Sequence, residues 1–286
     1  MATFFNQASI SYGGYVTNSN LTSGEVLDTL AVTKTAISTG YGVSTGVVFA
    51  VSLVNSGTAA IGGITVTDDL GAYTVGETTV VPLDYTDGSV KLYVNGTLAA
   101  APTTTAGPPL TFTGINLPAG ASALLLYEAT TNSYAPLTAG SQINNTATVN
   151  AEAPCVEGPI PATADIAVGE FTNLSIAKSV CPDTVSSCEE ITYTFIIQNA
   201  GNEEVAATDN LIVSDTFAPA LSNLEVTLNG TTLPEGTGYT YDETTGAFAT
   251  VAGQITVPAA TFTQDPTTGV VTTTPGVTVL TVSGTI

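Results

Sequence analysis

Histidine, arginine and tryptophan are absent from the 286 residues, and methionine occurs once. Lys34, Lys91 and Lys178 are the whole basic complement against 24 acids, giving a net charge of −21. Nucleic-acid binding needs a basic footprint, so that class is excluded. An anionic membrane would repel the same surface. Without histidine, and with no glycine-rich phosphate loop, Gly-x-Ser-x-Gly elbow or clustered metal ligands, the sequence predicts no enzyme, metal or cofactor. The acidity reads as solubility and mutual repulsion. LDYTDGS (83–89) is acidic but lacks the full calcium-loop spacing.

Long apolar runs are missing too. No stretch approaches the ~20 residues of a membrane-spanning helix, so no membrane insertion is expected. The N-terminus has neither a basic region nor a continuous apolar stretch, so no secretory signal is recognisable. The composition still looks extracellular. A cell or spore surface is expected, reached after removal of a signal or by release when a mother cell lyses around a spore. Of three cysteines, Cys181 and Cys188 flank CPDTVSSC and could form a local disulfide. Cys155 would then pair between chains or stay free. Their spacing is not a zinc pattern.

What is present is Thr, Val, Ala and Gly in short strand-like runs, punctuated by Gly, Asn, Asp and Pro turns. That is the pattern of all-β sandwiches. The length suits two domains of about 130 residues each. The chain also repeats itself. LAVTK (30–34) matches LSIAK (174–178), and VVFAVSLVNSG (47–57) matches ITYTFIIQNAG (191–201). ITVTDDL (64–70) matches LIVSDTF (211–217), VKLYVNGT (90–97) matches LEVTLNGT (224–231), and GINLPAG (114–120) matches QITVPAA (254–260). SALLLYEAT (122–130) matches VTVLTVSGT (277–285) more loosely. The expected organisation is a sandwich at 28–150, a linker at 151–171 and a second sandwich at 172–286.

The first copy continues into QINNTATVN (142–150), whereas the second stops at Ile286 without that final strand. FFNQASIS (4–11) supplies the missing pattern: Phe4 aligns with Ile143, Asn6 with Asn145, Ala8 with Ala147 and Ile10 with Val149. Residues 1–11 therefore read as a donor strand and 12–27 as a linker, because the double glycine is not followed by a second apolar run. Donation to the second sandwich of another copy is a head-to-tail contact that builds a filament unless it closes into a ring. An extra edge strand on the first sandwich, closure on the same chain and a reciprocal dimer are the alternatives.

Side-chain parity places Lys34, Asp68 and Asn145 at the inward ends of apolar rows in the first copy, and Lys178 and Asp215 in the second. Asn6 of another copy would supply the third member. One reading is a buried ion pair with asparagine as hydrogen-bond partner. The other is an isopeptide bond: a neutral lysine amine attacks the carboxamide and ammonia leaves, with Asp68 or Asp215 moving the proton in a single turnover. Asp69 and Asn144 have the wrong parity, and Lys91 reads as solvated.

LAVTK, VVFAVSLVNSG, ITVTDDL and INNTATV together resemble the bacterial surface-repeat family known as domain of unknown function eleven. The chain is similar to short two-domain members from spore-forming Firmicutes. The resemblance implies tandem immunoglobulin-like sandwiches without enzymatic activity, and it agrees with Lys–Asn bonds in related pilin and adhesin domains. It implies a homopolymer on a surface, with a host or matrix surface as a further partner. An adhesin or binding module is the alternative, with Tyr239, Tyr241 and the 100–110 loop as candidates.

Overall fold

A computed structural model describes residues 2–26, 29–152, 156 and 158–286. Cys155 lies outside the described residues. The architecture is all-β: an N-terminal arm followed by two β-sandwiches, each with its own apolar core.

The arm contains β1 (Ala2–Asn6), β2 (Ser9–Tyr12), β3 (Tyr15–Asn18) and β4 (Thr22–Val26). β1 pairs antiparallel with β4 and β2 with β3, making one long hairpin. Gly13 and Gly14 form its turn at φ 58° and 87°, the positive-φ pair that a type I′ turn requires. Between Asn6↔Thr22 and Ser9↔Asn18, Gln7 and Ala8 face Ser19, Asn20 and Leu21, which is a β-bulge. The expected linker at 12–27 is thus corrected, since most of it is the second limb of this hairpin. Backbone pairing and turn geometry define that limb. Thr17, Thr22 and Gly24 give it no apolar alternation to read.

The first sandwich begins with β5 (Leu30–Ala36), β6 (Gly46–Asn55), β7 (Ile61–Asp68), β8 (Tyr73–Val75) and β9 (Thr78–Val80). It continues with β10 (Leu83–Tyr85), β11 (Lys91–Val94), β12 (Thr97–Leu98), β13 (Thr103–Thr105) and β14 (Leu110–Leu117). It ends with β15 (Ser122–Thr131), β16 (Gln142–Asn150) and β17 (Ile160–Ala167). One sheet runs β12-β11-β15-β6-β5, with β10 also on β15, and the other runs β13-β14-β7-β16-β17. Alternate residues of β15 and β16 point into the core, as period-two strands with one wet face must. β17 corrects the expected 151–171 linker. Its Ala164 and Ile166 are core residues, while Thr163 and Asp165 face out.

The second sandwich is built from β18 (Leu174–Cys181), β19 (Glu190–Asn199), β20 (Ser214–Thr216), β21 (Ser222–Leu228) and β22 (Thr231–Thr232). β23 (Tyr239–Asp242), β24 (Ala247–Thr250), β25 (Thr261–Gln264), β26 (Val271–Thr274) and β27 (Gly276–Thr285) complete it. Its larger sheet, β22-β21-β27-β19-β18, repeats β12-β11-β15-β6-β5 strand for strand. Its smaller sheet, β23-β24-β20, repeats β13-β14-β7. Among the described residues, β16 and β17 have no counterpart there. The sequence reading expected one missing strand, and two positions are empty. β18 is exposed along its whole length, and Ile176 is 58% accessible.

Cys181 and Cys188 are free, exposed thiols, so the expected local disulfide is not formed. Different partners fix them: Cys181 pairs with Thr192, and the Cys188 N–H bonds to Ile286 O.

Candidate functional site

Lys34 lies on β5, Asp68 at the end of β7 and Asn145 on β16, so both sheets of the first sandwich contribute. All three are buried. Lys34 Nζ donates to Asp68 Oδ2 at 2.7 Å, with both side chains fully enclosed. The Lys34 ammonium is also 5.0 Å from the Phe49 ring centroid. Burial pulls the Lys34 pKa down, and the neighbouring Asp68 carboxylate only partly offsets this.

Tyr127 completes the cluster. Its hydroxyl donates to Asp68 Oδ2 at 2.5 Å and accepts from Asn145 Nδ2 at 3.1 Å. Burial holds the Tyr127 phenol protonated, with its pKa raised well above the ordinary value. Asn145 Oδ1 accepts the Gly71 N–H at 3.2 Å, and Asp68 Oδ1 accepts the Leu70 N–H at 2.9 Å. Asp68 thus bridges Lys34 to Tyr127, and Tyr127 bridges Asp68 to the carboxamide nitrogen. The carbonyl oxygen already faces an N–H that would stabilise developing negative charge.

The cluster groups an amine, a carboxylate, a phenol and a carboxamide. In an amide exchange, proton transfer from Lys34 to Asp68 would leave a neutral amine whose lone pair could attack Asn145 Cγ. The Cγ–Nδ2 bond would break as the amine's second proton passed to Nδ2, which would leave as ammonia. The Asp68–Tyr127 chain leads to that nitrogen. Sequence parity found Lys34, Asp68 and Asn145 but missed Tyr127 and Gly71. Tyr127 was legible in principle, because it shares the inward row of β15 with Ala123, Leu125 and Ala129.

Asp69 and Asn144 stay outside the cluster. Asp69 Oδ1 accepts from the Gly71 and Thr146 N–H groups, each at 2.9 Å, and burial raises its pKa. Asn144 donates to Asp165 on the exposed face. Lys91 is exposed.

In the second sandwich, Lys178 on β18 pairs with Asp215 on β20. Here the side chains are 40% and 20% accessible, against 0% for both in the first sandwich. Three rings form the wall: Lys178 Nζ lies 4.5 Å from the Tyr193 centroid, 5.3 Å from Phe217 and 5.4 Å from Phe195. Tyr193 occupies the place of Phe49. Its cross-strand partner is Val282, whereas that of Phe49 is Tyr127. The second site therefore keeps the lysine and the acid and exchanges the bridging tyrosine for an aliphatic residue. Asn6 lies on the exposed arm, where its backbone O accepts the Thr22 hydroxyl at 3.1 Å. Phe4, Ala8 and Ile10 are exposed on the same limb.

No protein-family model matches the chain, and no curated protein matches it. Solved structures with similar folds include the major pilin SpaD of Corynebacterium diphtheriae, at 13% identity and TM-score 0.37, over 58% of this chain and 41% of that one. The BcpA major pilin of Bacillus cereus gives 13% identity and TM-score 0.36, over 96% and 63%. The 35 kDa C-terminal fragment of the major pilin GBS80 of Streptococcus agalactiae gives 14% and 0.37, over 80% and 78%. At these values the likeness carries no functional argument, and this chain's own residues must supply one.

Proposed function

We propose that the protein is a structural subunit of an extracellular or spore-surface filament. Each copy donates its N-terminal strand (Phe4, Asn6, Ala8 and Ile10) to the second sandwich of the next. The observation that carries the reading is one lysine–aspartate pair in two states. Lys34–Asp68 is sealed under β16, which brings Asn145, whereas Lys178–Asp215 stands open where that strand is missing. The strand with the matching pattern, Asn6 at the position of Asn145, sits unpacked at the other end of the chain.

An unpaired sheet edge beside an open apolar row is unfavourable in an isolated subunit. Filling it with a strand from another copy satisfies the edge and buries Lys178 beside a carboxamide. Lys178 then attacks the Asn6 carboxamide, with Asp215 taking one amine proton and ammonia leaving with the other, in a site that has Val282 where the first has Tyr127. The donor and acceptor surfaces differ, so the contact is head-to-tail and open-ended.

Electrophoresis after boiling in detergent and reductant tests this. The parent should give a ladder of polymers, and Asn6→Ala should assemble but dissolve to monomers. Equal resistance of the two would remove Asn6 as the crosslink. Parental filaments from a chain lacking residues 1–11 would end the donor reading.

A further inference from the structure

Donation of one strand leaves half of the vacancy unfilled. The first sandwich covers β5 with β16 and with β17, which packs across β5 from the facing sheet. Leu30 is buried and Val32 packs against the core as a result. The counterparts Leu174 and Ile176 on β18 are 41% and 58% accessible. A β16-like strand on β20 would leave the β17 position empty.

We infer that the donated element is the whole hairpin 2–26, and that its β3–β4 limb covers β18 of the next copy as β17 covers β5. This rests on the filament reading above and specifies its interface. Three observations carry it. First, the arm has the shape of what is missing: β16 and β17 are an antiparallel pair, and so are the two limbs of the arm. Second, the order along the chain repeats. β17 leads into β18 across residues 168–173, and β4 leads into β5 across 27–29. In both places a hairpin precedes a sandwich, and the β16–β17 hairpin completes the sandwich before it. The arm's residues are exposed and enter neither apolar core among the described residues, and the open second sandwich of another copy offers the matching place.

Third, the registers agree at the first two inward pairs, ahead of the arm's bulge. Ile143 opposes Ile166 and Asn145 opposes Ala164, whereas Phe4 opposes Gly24 and Asn6 opposes Thr22. The arm exchanges two isoleucines for a larger and a smaller residue, and the Phe4 ring lies over Gly24. The ring fills part of the space that the glycine leaves on the facing limb.

The test uses the full chain with residues 15–26 replaced by a Gly/Ser segment of equal length, beside the parent and the chain lacking residues 1–11. Polymer is read by sedimentation and electron microscopy. In parallel, Ile176→Cys, in a chain with Cys155, Cys181 and Cys188 changed to serine, reports thiol labelling before and after assembly. The expected results are loss of polymer in the replaced chain and loss of Ile176→Cys labelling in polymers. An unchanged thermal melt for the replaced chain shows that the sandwiches are intact. Parental polymer from the replaced chain, or full labelling in polymers, overturns the hairpin while single-strand donation stands. Parental polymer from the chain lacking residues 1–11, or a parent that stays monomeric, overturns both.

Discussion

Asp68 is the residue on which the buried cluster turns. Two donors share its Oδ2 and a third holds Oδ1, so its carboxylate answers Lys34, Tyr127 and the Leu70 N–H together. Asp68→Ala should destabilise the unbonded first sandwich by about 3–5 kcal/mol, because it strands an enclosed lysine. Chemical denaturation in an Asn145→Ala background would read this free of any crosslink. Bond formation should fall off in alkali, which removes the proton that Lys34 gives to Asp68. Because burial lowers the Lys34 pKa, the alkaline limb should fall below the ordinary lysine value of 10.5. Intact-mass spectrometry after a pH jump would follow the loss of ammonia. At this scale the sequence revealed the charged members, since a lysine on an apolar row is conspicuous. Tyr127 escaped notice because the matching position in the second copy is Val282, so comparing the repeats gave no sign of it.

The hairpins are the elements least legible beforehand. β16 was found through its apolar alternation and its likeness to residues 4–11. β17 reads as linker in the sequence because Pro161 and its small inward residues, Ala162 and Ala164, mask a strand pattern. The β3–β4 limb was missed for a related reason, since Thr22 and Gly24 oppose the larger Asn6 and Phe4. That asymmetry has a direct consequence. A Cβ at position 24 would collide with the Phe4 ring. Gly24→Val should displace Phe4 from the inward row and reduce polymer yield, whereas Ser23→Val, one residue away on the opposite face, should not. Turbidity or pelleting of matched samples would separate the two. The sheets themselves are legible: six short matches align both copies, and both larger sheets have one strand order.

Across the whole molecule, the two sandwiches meet through specific bonds as well as the linker. Asn202 Nδ2 donates to Leu137 O at 3.2 Å and to Gly169 O at 2.9 Å. Gln264 Nε2 reaches the Tyr73 hydroxyl at 2.5 Å, and Phe262 packs against the first core. The position of the buried cluster along the chain matters mechanically. A pull on the two ends of the first sandwich enters at β5 and leaves through β16 and β17. Lys34 and Asn145 sit on the first and the penultimate of these strands. A covalent bond between them would carry tension from β5 to β16 and leave the β16–β17 pairing beyond Asn145 as the loaded part. Single-molecule stretching should then extend the parent's first sandwich by no more than the segment from Asn145 to the end of β17. Asn145→Ala should unravel that sandwich over its full contour. Under load, the first sandwich would yield only at its β17 end and hold its length from β5 to Asn145.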